Sequence, residues 1–280
     1  MHVSNTHTFT IILTQSRDGP WSRVLATQVA DSGYSVFNFP LINILEVEDP
    51  IPLTTALRSL DYYSLSIFMS PNAINYALTS KNVIWPINLP IGVVGPGSVA
   101  TLALHGIAKP IYHIISPSLY EEECAQYDSE HLYAAIKAEY KKYNSSLSGK
   151  RVLIFRGESG REWLDSHLRD AGADVLIVTV YRRIIPEPCV RMWERIHRLL
   201  KGFPHVWFIT SSSSLQNLDK LARINLTESE LVLLKRAPII TQHPRIERTA
   251  HALGFNNIML TGKGDEPINK ALCIISKEFI

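Results

Sequence analysis

The chain has little excess charge and no long apolar run. Its 28 basic and 26 acidic side chains leave a net charge of +2 over 280 residues, which is too small by itself to indicate a nucleic-acid or membrane partner. No apolar stretch reaches the roughly 18–20 residues that span a bilayer. The N-terminal residues lack the charged and apolar regions of a signal peptide. We therefore expect a cytoplasmic protein that binds neither nucleic acid nor a membrane.

Cysteine is scarce, and the histidines are scattered. Cys124, Cys189 and Cys273 are odd in number and far apart, as expected for reduced thiols and not for a disulfide framework. None of the 10 histidines is spaced for metal binding with a cysteine or carboxylate neighbour. The sequence also lacks a Gly-x-Ser-x-Gly elbow and a phosphate-binding loop with its lysine. We expect no metal site.

What the chain does have is a recurring unit: an apolar strand, a turn rich in small residues or proline, and an amphipathic helix. Three pairs of such units match between the two halves of the chain: 67–74 with 208–215, 93–106 with 239–254, and 12–33 with 153–172. This pattern predicts an α/β fold with two similar doubly wound parallel-sheet domains. In such sheets ligands bind beyond the carboxyl ends of the strands.

Several element boundaries can be predicted from local signals. Ser70 followed by Pro71 predicts an N-cap and first helical residue after a buried strand. Ser159 with Glu162 three residues later predicts a capping box. Apolar runs predict the remaining strands at 9–13, 35–39, 63–69, 91–94, 151–155, 175–185, 206–209, 238–241 and 258–260.

The order of the units predicts an interleaved chain. Only one strand–helix–strand unit precedes the extended stretch at 41–48, which is too little for a domain. We therefore expect residues 1–40 to join 187–280 in one domain and residues 49–179 to form the other. The chain would cross between them at 41–48 and 180–186.

A set of short motifs follows in a fixed order along the chain. The set comprises a strand ending at Thr14, Pro40-Leu41-Ile42, Ile67-Phe68-Met69-Ser70-Pro71-Asn72-Ala73, Val94-Gly95-Pro96-Gly97-Ser98-Val99-Ala100, Leu153-Ile154-Phe155-Arg156-Gly157, Gly160-Arg161-Glu162, Val180-Tyr181-Arg182, Thr210-Ser211-Ser212 and Pro244-Arg245-Ile246. No single motif is specific, but their order from about Phe9 to Ile280 is. By this order the chain resembles the uroporphyrinogen-III synthase family, of the bacterial type.

The resemblance implies a reaction and a site. It implies two α/β domains joined by a two-stranded ladder around an open cleft, no cofactor, and closure of hydroxymethylbilane to uroporphyrinogen III with loss of water and inversion of the last pyrrole ring. A monomer and a transient handover from hydroxymethylbilane synthase are expected with it. Tyr181 would be catalytic. The implied substrate-binding residues are Thr14, Ser70, Gly95, Ser98, Arg156, Gly157, Ser211, Ser212, Pro244, Arg245 and Ile246.

The chemistry of the residues agrees with such a substrate. A linear tetrapyrrole of this type carries eight carboxylates, and helix N-termini offer free N–H groups and the positive end of the helix dipole. Arginines match carboxylates bidentately, and the candidates are Arg17, Arg156, Arg161 and Arg245. Two alternatives remain at this stage. The serines and glycines could be only caps and turns, and Tyr181 could only pack on an interdomain strand.

One departure from the family pattern keeps other functions open. Gln15 and Ser16 stand where the family has Arg and Pro after the opening threonine. The chain could therefore be a non-catalytic two-lobed homologue that binds a small anionic ligand. A two-lobed binding protein that closes on a ligand is a further alternative, but it would be expected to carry a secretory signal.

Overall fold

In the computed structural model, residues 9–15, 34–79, 83–117, 128–159, 162–262 and 265–277 are described. The strands are β1 Thr10–Leu13, β2 Ser35–Asn38, β3 Asn43–Glu46, β4 Leu65–Phe68, β5 Ile91–Val93, β6 Ile114–Ile115, β7 Arg151–Gly157, β8 Asp174–Ile184, β9 His205–Phe208, β10 Ile239–Thr241 and β11 Ile258–Leu260. The α-helices are α1 Ile51–Arg58, α2 Pro71–Leu78, α3 Pro96–Leu104, α4 Ser129–Lys142, α5 Trp163–Asp170, α6 Val190–Leu200, α7 Ser212–Asn225, α8 Glu228–Arg236, α9 Pro244–Ala252 and α10 Asp265–Lys277.

The chain divides into two compact units. Residues 1–43 and 184–280 form the first unit, and residues 44–183 form the second. The first unit contains a sheet with strand order β11-β10-β9-β1-β2, and the second contains a sheet with order β3-β8-β7-β4-β5-β6. The pairs from β11 to β2 and from β8 to β6 are parallel. The expected α/β class with parallel sheets is confirmed.

The sheet of the first unit is buried on both faces. Ile12, Phe37 and Trp207 pack on one face against helices α6, α7, α8 and α9. Their strand neighbours Ile11 and Val206 belong to the other face, which packs against α10. Because both faces are covered, the strands read as continuous apolar runs in the sequence.

The second unit has the same construction. Phe68 and Phe155 stack with ring centroids 4.8 Å apart on one face of its sheet. Ile67 and Ile154 lie on the other face with Leu132 of α4. The single-face alternation of an antiparallel sheet is therefore absent from these strands, and successive residues are buried.

One local prediction differs from the structure. The predicted capping box at Ser159 and Glu162 is wrong, since α5 begins at Trp163 and Glu162 is its N-cap residue without a side-chain cap bond. The box that does form joins Thr227 and Glu230 at the start of α8. A helix that the sequence pattern predicts to end at Gly33 lies outside the described residues. A polar stretch at 120–128 predicts a loop, of which only Asp128 is described, as the N-cap of α4. Cys189 and Cys273 are free and exposed.

Candidate functional site

The carboxyl ends of four neighbouring strands in the second unit bring six predicted site residues to one edge of its sheet. The register aligns Phe68 of β4 with Val93 of β5 and with Phe155 of β7. Phe155 in turn aligns with Val178 of β8. The residues at or just beyond these positions are Gly95 and Ser98 after β5, Ser70 after β4, Arg156 and Gly157 in β7, and Tyr181 in β8.

Two helices begin at this edge. Ser70 caps α2 from an extended conformation, and its Oγ accepts a hydrogen bond from the Ala73 amide at 3.1 Å. Gly95 holds the equivalent position before α3, where no side chain caps the helix, and Pro96 follows it. Ser98 lies buried in the first turn of α3. Proline supplies no N–H at either start, and the amides of Ala73 and Ser98 are already bonded, so each start offers an anion the positive end of its dipole and the amide of its second residue.

Tyr181 is buried at this edge, with only 3% of its surface exposed. Its Oη lies 3.2 Å from Ser70 Oγ and accepts a hydrogen bond from Arg183 Nη2 at 3.1 Å. The Arg183 guanidinium is also 5.4 Å from the centroid of the tyrosine ring. The phenol is therefore held by a helix cap on one side and a cation on the other.

Gly157 makes room for the Tyr181 ring. The pairing of β7 with β8 shifts register between Arg156 and Gly157, so that Gly157 lies opposite Tyr181. A Cβ atom on Gly157 would lie 2.5 Å from Tyr181 Cζ, closer than atoms can approach. Glycine at this position is therefore required by the ring, a role that the sequence motif alone did not distinguish from anion binding.

Two arginines near this edge already contact carboxylates. Arg156 Nη1 lies 3.7 Å from Asp165 Oδ1 of α5, and the two side chains are 15% and 12% exposed. Arg182 pairs with Glu48 at 2.8 Å. Two other predicted partners, Arg161 after β7 and Arg17 after β1 of the first unit, lie outside the described residues.

The first unit brings the remaining predicted residues to the carboxyl edge of its own sheet. Thr14 is fully buried, and its hydroxyl donates to the Phe208 carbonyl at 2.8 Å, which ties β1 to β9. Ser211 caps α7 by accepting from the Ser214 amide at 3.0 Å. Ser212 Oγ accepts from Thr249 Oγ1 at 3.1 Å.

The second helix start at this edge is that of α9. Pro244 is its first residue, and the side chain of the preceding His243 accepts from the Arg245 amide at 3.0 Å. Arg245 is exposed, whereas Ile246 is buried in the core. Ile246 therefore supports this helix start and does not present its side chain at the surface.

Sequence reasoning missed two polar side chains at these edges and the contact made by a third. Arg183, at the end of β8, had no assigned contact with Tyr181. Asn38 Oδ1 and Thr241 Oγ1 are buried at the ends of β2 and β10, and no hydrogen-bond partner reaches either atom within the described residues. For Asn38 and Thr241, the signal in the sequence was a polar residue at the end of an apolar strand.

A cavity of about 280 Å³ lies elsewhere in the second unit. It is lined by Ser64, Pro90, His113 and Lys150, which precede β4, β5, β6 and β7, so it lies at the amino edge of the sheet and away from Tyr181. Tyr140 also lines it, and burial raises the pKa of this tyrosine. His113 and Glu139 pair across it at 2.8 Å.

Two searches of the described residues were negative. Within them, no group of three or more His, Cys, Asp or Glu side chains could hold a metal ion. None of the helices in the same ranges is long and apolar enough to cross a bilayer.

Comparison with known proteins identifies the family. A sequence model described as "Uroporphyrinogen-III synthase HemD" matches residues 23–263. A uroporphyrinogen-III synthase from Salmonella typhimurium strain LT2 is 24% identical over 261 residues, which cover 89% of this chain and 94% of that protein.

Two solved structures resemble the fold. A crystal structure of a mutant uroporphyrinogen III synthase from the extremely thermophilic bacterium Thermus thermophilus matches with a TM-score of 0.58 and 13% identity, covering 97% of this chain and all of that one. A uroporphyrinogen-III synthetase from Helicobacter pylori 26695 matches with a TM-score of 0.54 and 16% identity, covering 95% and 99% of the two chains. The family's sequence model matches most of this chain, so the chain belongs to the uroporphyrinogen-III synthase family.

Proposed function

We propose that this chain cyclises hydroxymethylbilane to uroporphyrinogen III, with loss of water and inversion of the terminal pyrrole ring. The observation that carries the proposal is the family match over residues 23–263. The carboxyl edge of the second sheet supports it, because a phenol and two helix N-termini lie together there. A carboxylate-rich substrate that must lose a hydroxyl group needs both features.

We propose Tyr181 as the proton donor to the departing hydroxyl. As the C–O bond breaks, its electron pair stays on the oxygen, the phenol proton passes to that oxygen, and water leaves. The pyrrole nitrogen donates electron density to the carbon that remains. To invert the terminal ring, that carbon first bonds to the substituted α-carbon of the ring. The bond from this α-carbon to its methylene bridge then breaks, and the bridge carbon bonds to the free α-carbon of the same ring. The free α-carbon loses one proton as the ring regains its aromaticity, and this proton restores the phenol. Ser70 is more exposed than Tyr181, so the substrate would approach from the Ser70 side.

The eight carboxylates of the substrate would be bound by many weak donors. In the second unit the amides at the starts of α2 and α3 are the donors, with the hydroxyls of Ser70 and Ser98. Arg156 and Gly157 lie at the same carboxyl edge and would also bind the substrate. In the first unit the start of α7 supplies the equivalent groups. The amides of Arg245 and Ile246 at the start of α9 already bond to His243, so α9 would contribute the positive end of its dipole and the exposed Arg245 side chain. The residues proposed there are Thr14, Ser211, Ser212, Pro244, Arg245 and Ile246.

Further parts of the proposal concern the protein in the cell. We propose a cytoplasmic monomer that works without metal or organic cofactor and that receives its unstable substrate from hydroxymethylbilane synthase by transient handover. Sedimentation at micromolar concentration would test the monomer. A chelator should leave the activity unchanged, and loss of activity that one metal restores would contradict this part.

The isomer of the product tests the function. Purified protein is supplied with freshly made hydroxymethylbilane, the products are oxidised, and the porphyrin isomers are separated. The expected product is the III isomer, whereas free bilane closes without enzyme to the I isomer. Heat-denatured protein is the control. The I isomer alone, from folded protein, would favour the alternative of a non-catalytic homologue that binds a small anionic ligand.

A further inference from the structure

Within the described residues, the Tyr181 hydroxyl contacts the guanidinium of Arg183. The geometry of strand β8 places these two side chains next to each other. Residues two apart in a strand point to the same side, so Arg183 lies beside Tyr181 on β8. Its Nη2 donates to Tyr181 Oη at 3.1 Å, and its guanidinium is 5.4 Å from the ring centroid. Arg182, one residue away, points to the opposite side and pairs with Glu48 at 2.8 Å.

The donor and acceptor roles in this contact are fixed. A guanidinium has N–H donors and no acceptor, so Tyr181 Oη must accept from Arg183 and keeps its own proton for another acceptor. Ser70 Oγ lies 3.2 Å away and already accepts the Ala73 amide. The phenol proton is therefore directed away from Arg183, on the side where Ser70 Oγ can accept it.

The contact becomes stronger when the phenol gives up its proton. Before transfer, the guanidinium donates to a neutral oxygen; afterwards it donates to a phenolate, which is a charge-assisted bond between opposite charges. Tyr181 has only 3% of its surface exposed, which keeps the phenol oxygen away from bulk water, whereas Arg183 is exposed, so its charge is partly screened. An interaction that strengthens along the reaction coordinate lowers the barrier, whereas one of constant strength does not.

We infer that Arg183 is a positioning residue that orients the Tyr181 hydroxyl and stabilises the phenolate formed when the proton leaves. The inference rests on the proposed function, in which Tyr181 protonates the departing hydroxyl. It assigns to Arg183 no contact with the carboxylates of the substrate. Its effect on the rate must therefore pass through the phenol oxygen of Tyr181.

A double-mutant cycle tests this dependence. Turnover number and KM are measured for the wild type, Arg183→Gln, Tyr181→Phe and the double variant. Arg183→Gln should lower the turnover number about tenfold, as expected for losing one hydrogen bond to a charged group, and should leave KM within about twofold. In the Tyr181→Phe background the same change should have less than about a twofold effect, because the phenol oxygen is gone.

Two further variants control for charge and for the side chain. Arg182→Gln removes the same charge from the next residue without touching the phenol, so its turnover number should stay within about twofold of wild type. Arg183→Lys keeps a donor on a flexible stem and should recover part of the loss. Equal losses from Arg183→Gln in both backgrounds, or a raised KM with unchanged turnover, would overturn the inference and indicate a direct contact with substrate.

A measurement without substrate separates this inference from the proposed function. In protein labelled with ¹³Cζ-tyrosine, the Tyr181 signal is the one missing from Tyr181→Phe. Arg183→Gln should shift that signal in the free protein, and Arg182→Gln should not. An unmoved signal would show that Arg183 does not hold the hydroxyl, even in an active enzyme. A shifted signal in a protein that forms no III isomer would instead mean that the contact is correct and the proposed function is wrong.

Discussion

Tyr181 is the residue with the most specific proposed role, and replacing its hydroxyl tests that role directly. Tyr181→Phe should keep the fold and the affinity for substrate but lower the turnover number by roughly 10² or more, as expected for a positioned proton donor. The fraction of I isomer should rise, because free bilane then has longer to close by itself. Tyr133→Phe removes a phenol that donates to the His167 carbonyl, on the other face of the sheet, and should leave turnover unchanged. Wild-type turnover in Tyr181→Phe would exclude the acid role.

The close approach of Gly157 to the Tyr181 ring gives a second prediction. Gly157→Ala would place a methyl group 2.5 Å from Tyr181 Cζ, so the ring must move from its contacts with Ser70 and Arg183. We expect a loss of about 1–3 kcal/mol in the free energy of unfolding, typical of overpacking a core, together with reduced turnover. Urea denaturation measures the first effect.

Gly97→Ala is the matched control, since the nearest atom to its new Cβ would be Pro71 Cγ at 3.9 Å. It should leave stability unchanged or raise it by up to about 1 kcal/mol, because alanine favours a helix over glycine. If Gly157→Ala were equally harmless, the ring would not be fixed by this contact.

Each serine at a helix start should contribute only a little to substrate binding. Ser98→Ala and Ser211→Ala should each weaken substrate binding by about 0.5–2 kcal/mol, the value of one hydrogen bond to a charged group, because the backbone donors remain. Substrate affinity measured from KM under slow-turnover conditions would show it. Ser70→Ala should weaken binding similarly. Ser70→Ala and Ser211→Ala should each lose stability as well, because both serines cap a helix. Complete loss of activity in any one folded variant would indicate a concentrated chemical role at that hydroxyl.

The sequence predicted which residues lie at the strand ends but not their contacts. Ser70 and Tyr181 are 111 residues apart, and nothing local to either predicts that their oxygens meet. The contact arises because β4 and β8 lie on either side of β7. The same applies to the Thr14 hydroxyl, whose acceptor is the carbonyl of Phe208. Residue types at strand ends are visible in a sequence, whereas their partners depend on strand order.

At the scale of elements, helix α8 depends on the carboxylate of Glu230. This side chain is buried, accepts from the Thr227 amide at 3.1 Å and lies 2.8 Å from His197 Nδ1 of α6. Burial by itself raises the pKa of Glu230, but the hydrogen bonds from Thr227 and His197 and the attraction to that imidazole outweigh it and leave the pKa below its ordinary value. The charged form therefore stabilises the fold.

A pH series checks this stabilisation. Because the folded-state pKa of Glu230 is depressed, its contribution is present above the ordinary glutamate value of about 4.3 and is lost as the pH falls through the lower folded-state value. Glu230→Gln should lower the free energy of unfolding by about 1–2 kcal/mol near neutral pH, and the difference from wild type should shrink below about pH 4. Glu228→Gln, on the exposed first residue of the same helix, should have little effect. A difference independent of pH would show that the charge of Glu230 is not involved.

The helix starts show why some boundaries are predictable and others are not. At Ser70 an apolar strand stops, a cap residue and a proline follow, and the helix begins as predicted. After β7, however, the Glu158 amide donates to the Tyr181 carbonyl, so the chain stays paired with β8 beyond the predicted strand end. Because of this tertiary bond, the helix begins only at Trp163. The Thr227 box was overlooked although it precedes the apolar run of α8 and has the same spacing.

At the scale of the whole molecule, the division of the chain predicts which fragments fold. Residues 44–183 form one compact unit from a continuous segment. Expressed alone, they should unfold cooperatively in urea. Residues 1–149 are of similar length but cut both units, so that fragment should be degraded in limited proteolysis. A protease-resistant 1–149 fragment would contradict the division.

The place of β1 has a consequence for how this protein is made. Leu13 pairs with Asn38 on one side and with Phe208 on the other, and Phe208 is synthesised about 200 residues later. At translation rates of about 5–20 residues per second, the first strand waits roughly 10–40 s for its second neighbour. During that time the apolar strand is exposed on the ribosome, while residues 44–183 can already collapse into their own core. The opening segment is therefore the part of the nascent chain that most needs protection by a chaperone.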